Sequence, residues 1–259
     1  MEKIIVNLFW TGGLDSTFRL CELSREPIII QPYYEISQRK STKYELKAMK
    51  KILDSLKFKK STNAEILPLI CIDERFLPNI ESTFNAWKCL YQKYRLGWQY
   101  EKLAYIANFL NINLEVSLEK SNRSKAVKVL TEEGNLVCES YIPKNVKGNK
   151  DILEFYHIGS NASSNVKEIF DHLIFPKHLF SITKEEEIDW LKKNEFEDIM
   201  KLTWFCHDPI AGKPCGFCNP CKDALNEGLK WRLSKTGKFF GFFRYNLFKR
   251  PKALLSRFR

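Results

Sequence analysis

Hydrophobic runs alternate with amphipathic segments along the first 200 residues of the chain. Short apolar runs rich in β-branched and aromatic residues predict buried strands at 3–10, 27–34, 65–70, 112–117 and 153–158. Apolar residues at helical spacing predict helices at 15–23, 43–56, 100–110, 163–173 and 184–193. This alternation predicts an α/β fold with a doubly wound, mainly parallel sheet that is covered on both faces.

One segment of this region predicts a different local structure. Two short β-prone runs within 127–141 flank the sequence Glu132-Glu133-Gly134-Asn135, which contains turn-forming residues. The pattern predicts a β-hairpin between the fourth and fifth strands.

The composition is that of a globular protein. Of 259 residues, 44% are hydrophobic and 28% are charged, which excludes a disordered chain. No apolar run approaches the length of about 18 residues that a membrane span needs. The first ten residues combine a short apolar run with an acidic residue, unlike a signal peptide. We therefore expect a cytoplasmic protein with reduced cysteines.

The net charge of +11 is concentrated at the C-terminus. Residues 230–259 contain ten basic side chains and no acidic ones, whereas the rest of the chain carries 32 basic and 31 acidic residues. Together with a change of composition near residue 200, this predicts three parts, at 1–200, 201–229 and 230–259. The aromatic, basic tail suits docking on the domain or on a second copy in a homodimer, peripheral binding at the inner membrane surface, or stacking on RNA.

A glycine pair follows the first predicted strand and opens the first predicted helix. The sequence Thr11-Gly12-Gly13-Leu14-Asp15-Ser16-Thr17 lets an anion approach the backbone closely, beside the free N–H groups of a helix start. The hydroxyl groups add hydrogen-bond donors, and Asp15 is suited to hold Mg²⁺ beside a phosphate. The loop predicts a nucleotide site; the plainer alternative is a glycine turn with Asp15 as the helix N-cap.

Four of the eight cysteines lie within sixteen residues near the C-terminus. Cys206, Cys215, Cys218 and Cys221 include two C-x-x-C steps, a spacing that brings thiolates to one metal ion. Four sulfur ligands predict a closed structural zinc site, and an iron–sulfur cluster accepts the same ligands. The other cysteines have apolar neighbours and are predicted to be buried; they are Cys21, Cys71, Cys89 and Cys138.

Together the two motifs resemble those of the 7-cyano-7-deazaguanine synthase family of ATP pyrophosphatases. The glycine loop resembles that superfamily's S-G-G-x-D-S signature, with Thr11 in the position of the serine. The segment 203–221 resembles the family's four-cysteine zinc site, which a similar T-W-x-C sequence precedes. Shorter likenesses lie at Gln38-Arg39, at 157–161 and at 181–184, so that the resemblance runs from about residue 3 to about residue 228.

This resemblance implies an adenine nucleotide α-hydrolase-like fold with a zinc-bound C-terminal lobe. It also implies a ligase that uses ATP and Mg²⁺ to adenylate a small carboxylate, releases pyrophosphate, and forms a nitrile with ammonia, as in 7-deazaguanine and queuosine biosynthesis. The residues that the resemblance assigns are Thr11 to Thr17 and Gly159 for the nucleotide, Asp15, Ser16, Lys184 and Arg39 for catalysis, and Cys206, Cys215, Cys218 and Cys221 for zinc.

Two departures from the family pattern leave the acceptor substrate open. Residues 162–167 contain neither the cysteine nor the arginine of the family's Y-P-D-C-R-type segment, and residues 75–100 lack its R-N motif. Alternative acceptors are another small-molecule or protein carboxylate and an RNA base. An alternative to an enzyme is a zinc-stabilised module that has lost catalysis and binds at a membrane.

Overall fold

A computed structural model describes residues 4–118, 124–142 and 151–244 of the chain. The strands in these ranges are β1 (Ile5–Phe9), β2 (Ile29–Ile36), β3 (Glu65–Ile66), β4 (Ile70–Asp73), β5 (Leu114–Glu115), β6 (Val137–Ser140), β7 (Glu154–His157) and β8 (Leu173–Pro176). The α-helices are α1 (Leu14–Ser24), α2 (Thr42–Lys57), α3 (Glu81–Tyr94), α4 (Gln99–Leu110), α5 (Lys125–Glu133), α6 (Ser164–Phe170), α7 (Lys184–Lys193), α8 (Glu197–Leu202), α9 (Asn219–Asn226) and α10 (Lys235–Arg244).

The described strands form one mainly parallel sheet. Their order is β3-β2-β1-β5-β8-β7-β6, and β4 pairs with the second half of β2. All strand pairs among β1, β2, β3, β4, β5 and β8 are parallel. β7 runs antiparallel to both of its neighbours, β6 and β8. The predicted α/β class and mainly parallel sheet are therefore confirmed. The chain leaves the central strand β1 toward β2 on one side and later returns to β5 on the other, an arrangement that places ligand sites at the carboxyl end of such a strand.

Helices cover both faces of the sheet, as two separate hydrophobic cores show. On one face α1, α2, α7 and α8 pack around residues such as Phe18 and Met49. On the other face α3, α4, α5 and α6 pack around residues such as Leu103 and Phe170. β1 sends Leu8 into the first core and Phe9 toward the second, because successive side chains of a strand point to opposite faces.

The hairpin predicted within 127–141 is wrong. Residues 125–133 form α5, which buries Ala126, Val129 and Leu130 at helical spacing. The Ser124 side chain caps this helix by accepting a hydrogen bond of 3.3 Å from the Val127 N–H. Only the second β-prone run forms a strand, β6, which pairs antiparallel with β7. The valines suggested a strand, but their spacing fits one face of a helix.

Several other predictions needed correction. The strand predicted at 65–70 is two short strands, β3 and β4, which lie on either side of Pro68. The strand predicted at 112–117 is reduced to Leu114–Glu115, and neither α3 nor β8 was predicted. Among the scattered cysteines only Cys21 is buried, whereas the remaining three are exposed, namely Cys71, Cys89 and Cys138.

The C-terminal lobe has a small core of its own. Cys206, Cys215 and Cys221 pack there with Leu233, a residue of the predicted tail. α10 lies against this lobe, because a Cβ at Gly216 would overlap the Gly237 carbonyl oxygen and a Cβ at Gly237 would lie 2.6 Å from the Pro214 carbonyl oxygen. Residues 245–259 of the tail lie outside the described residues, so the predicted dimer, membrane and RNA roles of that segment stay predictions. No helix in the described ranges has both the length and the apolar character that crossing a membrane requires.

Candidate nucleotide site and metal centre

The glycine pair after β1 is held in place from two sides. Gly12 has φ +69°, in the left-handed region that favours glycine, and a Cβ there would lie 2.8 Å from Met49 Cγ. The Gly12 carbonyl accepts a hydrogen bond of 2.9 Å from the backbone N–H of Trp204. The loop therefore contacts α2 and the C-terminal lobe at one residue.

The start of α1 leaves backbone donors available at this loop. Gly13 is the N-cap and provides no side-chain hydrogen bond, so Asp15 is not the cap and the first N–H groups lack a partner within the helix. Ser16 Oγ lies 3.2 Å from Thr11 Oγ1, which keeps both hydroxyls beside the loop. Thr17 is fully buried and its hydroxyl accepts a hydrogen bond of 3.0 Å from Trp10 Nε1. Thr17 therefore belongs to the core.

A cavity of about 330 Å³ opens at the loop. Its walls come from the loop, the starts of α1, α4 and α7, the region of α2, and the C-terminal lobe. The lining residues are Thr11, Gly13, Leu14, Asp15, Arg39, Glu45, Gln99, Lys184, Trp204, Phe205, His207, Pro220, Asp223, Ala224, Glu227, Leu229 and Arg232. Of the predicted nucleotide and catalytic residues, six line the cavity, whereas Gly12, Ser16, Thr17 and Gly159 do not.

Lys184 places a cation at the start of α1. It forms ion pairs with Asp15 and with Glu187, the second at 3.2 Å. Burial lowers the pKa of Lys184, and the nearby Glu187 carboxylate acts in the opposite direction. Thr183 and Glu186 form a capping box, with hydrogen bonds of 2.7 and 3.3 Å, that fixes the first turn of α7. The ammonium is therefore held in position by the helix start.

Arg39 reaches the cavity from the segment between β2 and α2. Its Nε donates a hydrogen bond of 2.5 Å to Ser37 Oγ, and Nη2 lies 3.5 Å from Glu45 Oε2. Glu45 also accepts a hydrogen bond of 2.6 Å from the Tyr34 hydroxyl, and burial together with this carboxylate raises the pKa of Tyr34. The Arg39 side chain keeps 33% of its surface exposed, so that a ligand can reach it.

Arg232 is a cavity residue that sequence reasoning missed. Its Nη2 donates a hydrogen bond of 2.7 Å to Thr203 Oγ1, and its guanidinium carbon lies 4.2 Å from the centroid of the Phe205 ring. Burial lowers the pKa of Arg232 to about 10, which leaves it a cation at neutral pH. In the sequence it is one of ten basic residues of the predicted tail, and only tertiary packing distinguishes it.

The cavity also contains carboxylates that the sequence did not single out. Asp223 lies on α9, Glu227 follows that helix, and both share the lining with Asp15. The cavity wall therefore contains carboxylates as well as cations.

Gly159, predicted to bind the nucleotide, does not line this cavity. Because β7 is antiparallel to β8, the residues after it emerge at the edge of the sheet where β1 begins, opposite the glycine loop. There the Gly159 N–H donates a hydrogen bond of 3.0 Å to the Gly134 carbonyl, and a Cβ would collide with Asn135. The glycine is therefore explained by close packing, and we exclude it from the candidate site.

The four clustered cysteines form a candidate metal centre. Their Sγ atoms all lie within 4.8 Å of one another, with 3.9 Å separating Cys215 from Cys221 and Cys206 from Cys218. Sulfur atoms about 2.3 Å from a tetrahedral zinc ion lie about 3.8 Å apart, which this cluster matches. The Cys215 N–H donates to Cys206 Sγ at 3.2 Å and the Cys218 N–H donates to Cys215 Sγ at 3.3 Å, contacts that favour thiolates. The predicted ligand set is thus able to hold a metal such as zinc.

Comparison of the chain with protein-family models and with curated proteins found no match. Its function is therefore inferred from the residues of the site and from the likeness of its two motifs.

Proposed function

We propose that this protein is an ATP-dependent ligase of the ATP pyrophosphatase type and that the cavity at the glycine loop holds the phosphates of ATP. The observation that carries the proposal is the meeting of Arg39, Lys184 and Arg232 at the uncapped start of α1. Three cations beside a helix N-terminus can contact a polyanion, and Mg²⁺ bound with it would offset the four carboxylates of the same lining. The TGGLDS motif and the position after a central parallel strand support a nucleotide and an adenine nucleotide α-hydrolase-like fold.

The proposed reaction begins with adenylation of a carboxylate. A carboxylate oxygen of the acceptor attacks the α-phosphorus of ATP, the bond to the bridging oxygen breaks, and pyrophosphate leaves. Ammonia displaces AMP to give an amide. The amide oxygen then attacks the α-phosphorus of a second ATP and releases pyrophosphate, and loss of AMP, which keeps that oxygen, together with the two N–H protons gives a nitrile. The resemblance makes 7-carboxy-7-deazaguanine the first acceptor to test.

The contribution of the protein to this reaction is mainly electrostatic. Lys184 and Arg232 would stabilise the charge that develops on the departing pyrophosphate, and backbone N–H groups at the start of α1 would add to this effect. Arg39, whose side chain is 33% exposed, would contact the nucleotide from the side of α2. Thr11, which lines the cavity, would donate a hydrogen bond to a phosphate oxygen, and Ser16 would hold Thr11 in place.

Two metals fit this arrangement. Mg²⁺, when bound together with ATP, would neutralise phosphate charge, and Asp15 at the glycine loop is the carboxylate that would contact it. Zinc at the four cysteines would be structural, because four thiolates leave no open coordination position. The lobe that it stabilises supplies Trp204 and Phe205 to the cavity wall.

Release of pyrophosphate tests this function. Purified protein with ATP and Mg²⁺ should release pyrophosphate only when 7-carboxy-7-deazaguanine and ammonium are added, and it should form the nitrile. Asp15→Asn should lower the rate at least about 100-fold, because the metal and Lys184 lose a carboxylate in the site. Asp189→Asn, a matched change on the exposed face of α7, should leave the rate unchanged.

Two outcomes would count against the proposal. Release at equal rates from wild type and Asp15→Asn would show that another site or a contaminant turns over ATP. No pyrophosphate release with the deazaguanine or with other small carboxylates would exclude a carboxylate-adenylating ligase of this kind.

A further inference from the structure

Two further cavities adjoin the candidate nucleotide site and extend it around Tyr44. One, of about 510 Å³, shares Arg39 with the nucleotide cavity, and the other, of about 490 Å³, shares Trp204, Phe205 and Arg232 with it. Tyr44 lines both of these cavities. We call the combined lining of the two the side groove; it leads along α2 to the nucleotide cavity.

The side groove has one sign of charge. Its lining includes the lysines Lys40, Lys43, Lys47, Lys51 and Lys201 in addition to the two shared arginines, and no acidic residue is among its described lining residues. The lysines at 43, 47 and 51 are four residues apart and therefore follow one face of α2, about 6 Å apart along its axis. A row of cations of this kind fits a chain of phosphates.

Not all of these lysines are equally available. Lys40 lies 3.7 Å from Asp208 and Lys201 lies 2.8 Å from Glu197, so nearby carboxylates partly offset their charge. Lys47 is exposed, as is Lys51, and neither has an ion-pair partner among the residues that the structure describes. The free cations therefore lie in the part of the groove that borders Trp204.

Aromatic rings line the same groove. Tyr44 and Trp204 stack on each other with ring centroids 4.8 Å apart and planes inclined by 15°. Trp231, which also lines the groove, keeps 46% of its surface exposed. A site for a simple anion needs no exposed rings, whereas unpaired bases stack on them, so the combination of cations and rings indicates a ligand with both phosphates and bases.

We propose that the side groove binds single-stranded nucleic acid, with phosphates at the lysines of α2 and bases at Trp231 and the Tyr44–Trp204 pair. Single strands are favoured over duplexes because stacking on protein rings requires unpaired bases. A strand bound there would lie beside the nucleotide cavity. The assignment of that cavity rests on the proposed function, whereas binding in the groove does not.

Binding of labelled oligonucleotides of about 12 nucleotides, followed by fluorescence anisotropy without ATP, tests the proposal. RNA and DNA are titrated separately, which distinguishes the two sources of a single strand. We expect the affinity to fall as the salt concentration rises. The double variant Lys47→Glu/Lys51→Glu should weaken binding at least about tenfold and should reduce the slope of log affinity against log salt concentration by about 1.4. Trp231→Ala should weaken binding about tenfold with the slope unchanged.

A matched pair of variants separates the groove from net charge. Lys235→Glu/Lys238→Glu makes the same charge change on exposed lysines of α10, outside the groove, and should leave the affinity within about twofold of wild type. Equal losses of affinity in both double variants would overturn the proposal. It would also be overturned if, at about 50 mM salt, the protein bound neither oligonucleotide but did bind anionic phospholipid vesicles. Asp15→Asn should keep oligonucleotide binding, so that failure of the proposed chemistry and failure of the groove give different results.

Discussion

Gly12 is the residue on which the shape of the candidate site depends most directly. It combines a left-handed backbone with a hydrogen bond to Trp204 and a close approach to Met49. The second glycine differs, because Gly13 has φ −74° and ψ 172°, an extended conformation open to other residues. The backbone therefore requires glycine only at position 12, a difference that the sequence alone did not show.

Gly12→Ala should destabilise the protein more than Gly228→Ala. Both residues have positive φ, +69° and +76°, so each change costs about 1 kcal/mol in the backbone. The new Cβ at position 12 would also press on Met49, whereas at 228 no heavy atom lies within 4 Å. Urea unfolding should therefore show an additional loss of about 1–3 kcal/mol for Gly12→Ala. Equal losses in the two variants would contradict the packing around Gly12.

At the scale of elements, regular amphipathic segments were predicted well and short or atypical ones were not. α1, α2 and α4 begin and end within one residue of prediction, and α7 matches it, because each has a clear apolar stripe. α3 was missed because its buried face contains Thr83 and Ala86, while the larger Phe84 and Tyr91 are exposed. The apolar runs at 65–70 and 112–117 predicted the positions of β3 and β5 but not their length, because pairing with neighbouring strands sets where a two-residue strand ends.

The C-terminal lobe should depend on one zinc ion per chain. We expect elemental analysis to find that stoichiometry, and a chelator or Cys218→Ser to lower the melting temperature by more than about 5 °C, because four thiols in a small core are held together by the metal. ATP binding should weaken at the same time, since Trp204 in this lobe contacts Gly12 and lines the cavity.

Cys71→Ser is the matched control for this prediction, because Cys71 is exposed on β4 and lies outside the cluster. It should retain the zinc and the melting temperature of the wild type. Protein that contains no metal, or that keeps its full stability in the presence of the chelator, would contradict a structural zinc site.

At the scale of the whole molecule, the site combines local motifs with residues that only the fold brings together. The glycine loop and the cysteine cluster are short motifs whose chemistry is encoded by spacing, so they were predicted from the sequence. Asp223, Glu227 and Arg232 have no such motif, and they reach the cavity because the C-terminal lobe packs on the loop after β1. Gly159 is the opposite case, because it lies in a motif-like sequence but not at the site. It follows β7, which is antiparallel to β8, and so it lies at the edge of the sheet opposite the glycine loop.

The central claim is that the cavity at the start of α1 binds the phosphates of ATP. The most direct test is a calorimetric titration of ATP and Mg²⁺ into wild type, Lys184→Met and Lys192→Met. Lys192 lies on the same helix as Lys184, but it is exposed and outside the cavity. We predict that wild type and Lys192→Met bind ATP with the same affinity and that Lys184→Met binds at least about tenfold more weakly, because a buried charge-assisted contact is lost. Absence of ATP binding in the wild type, or equal affinities in all three proteins, would contradict the claim.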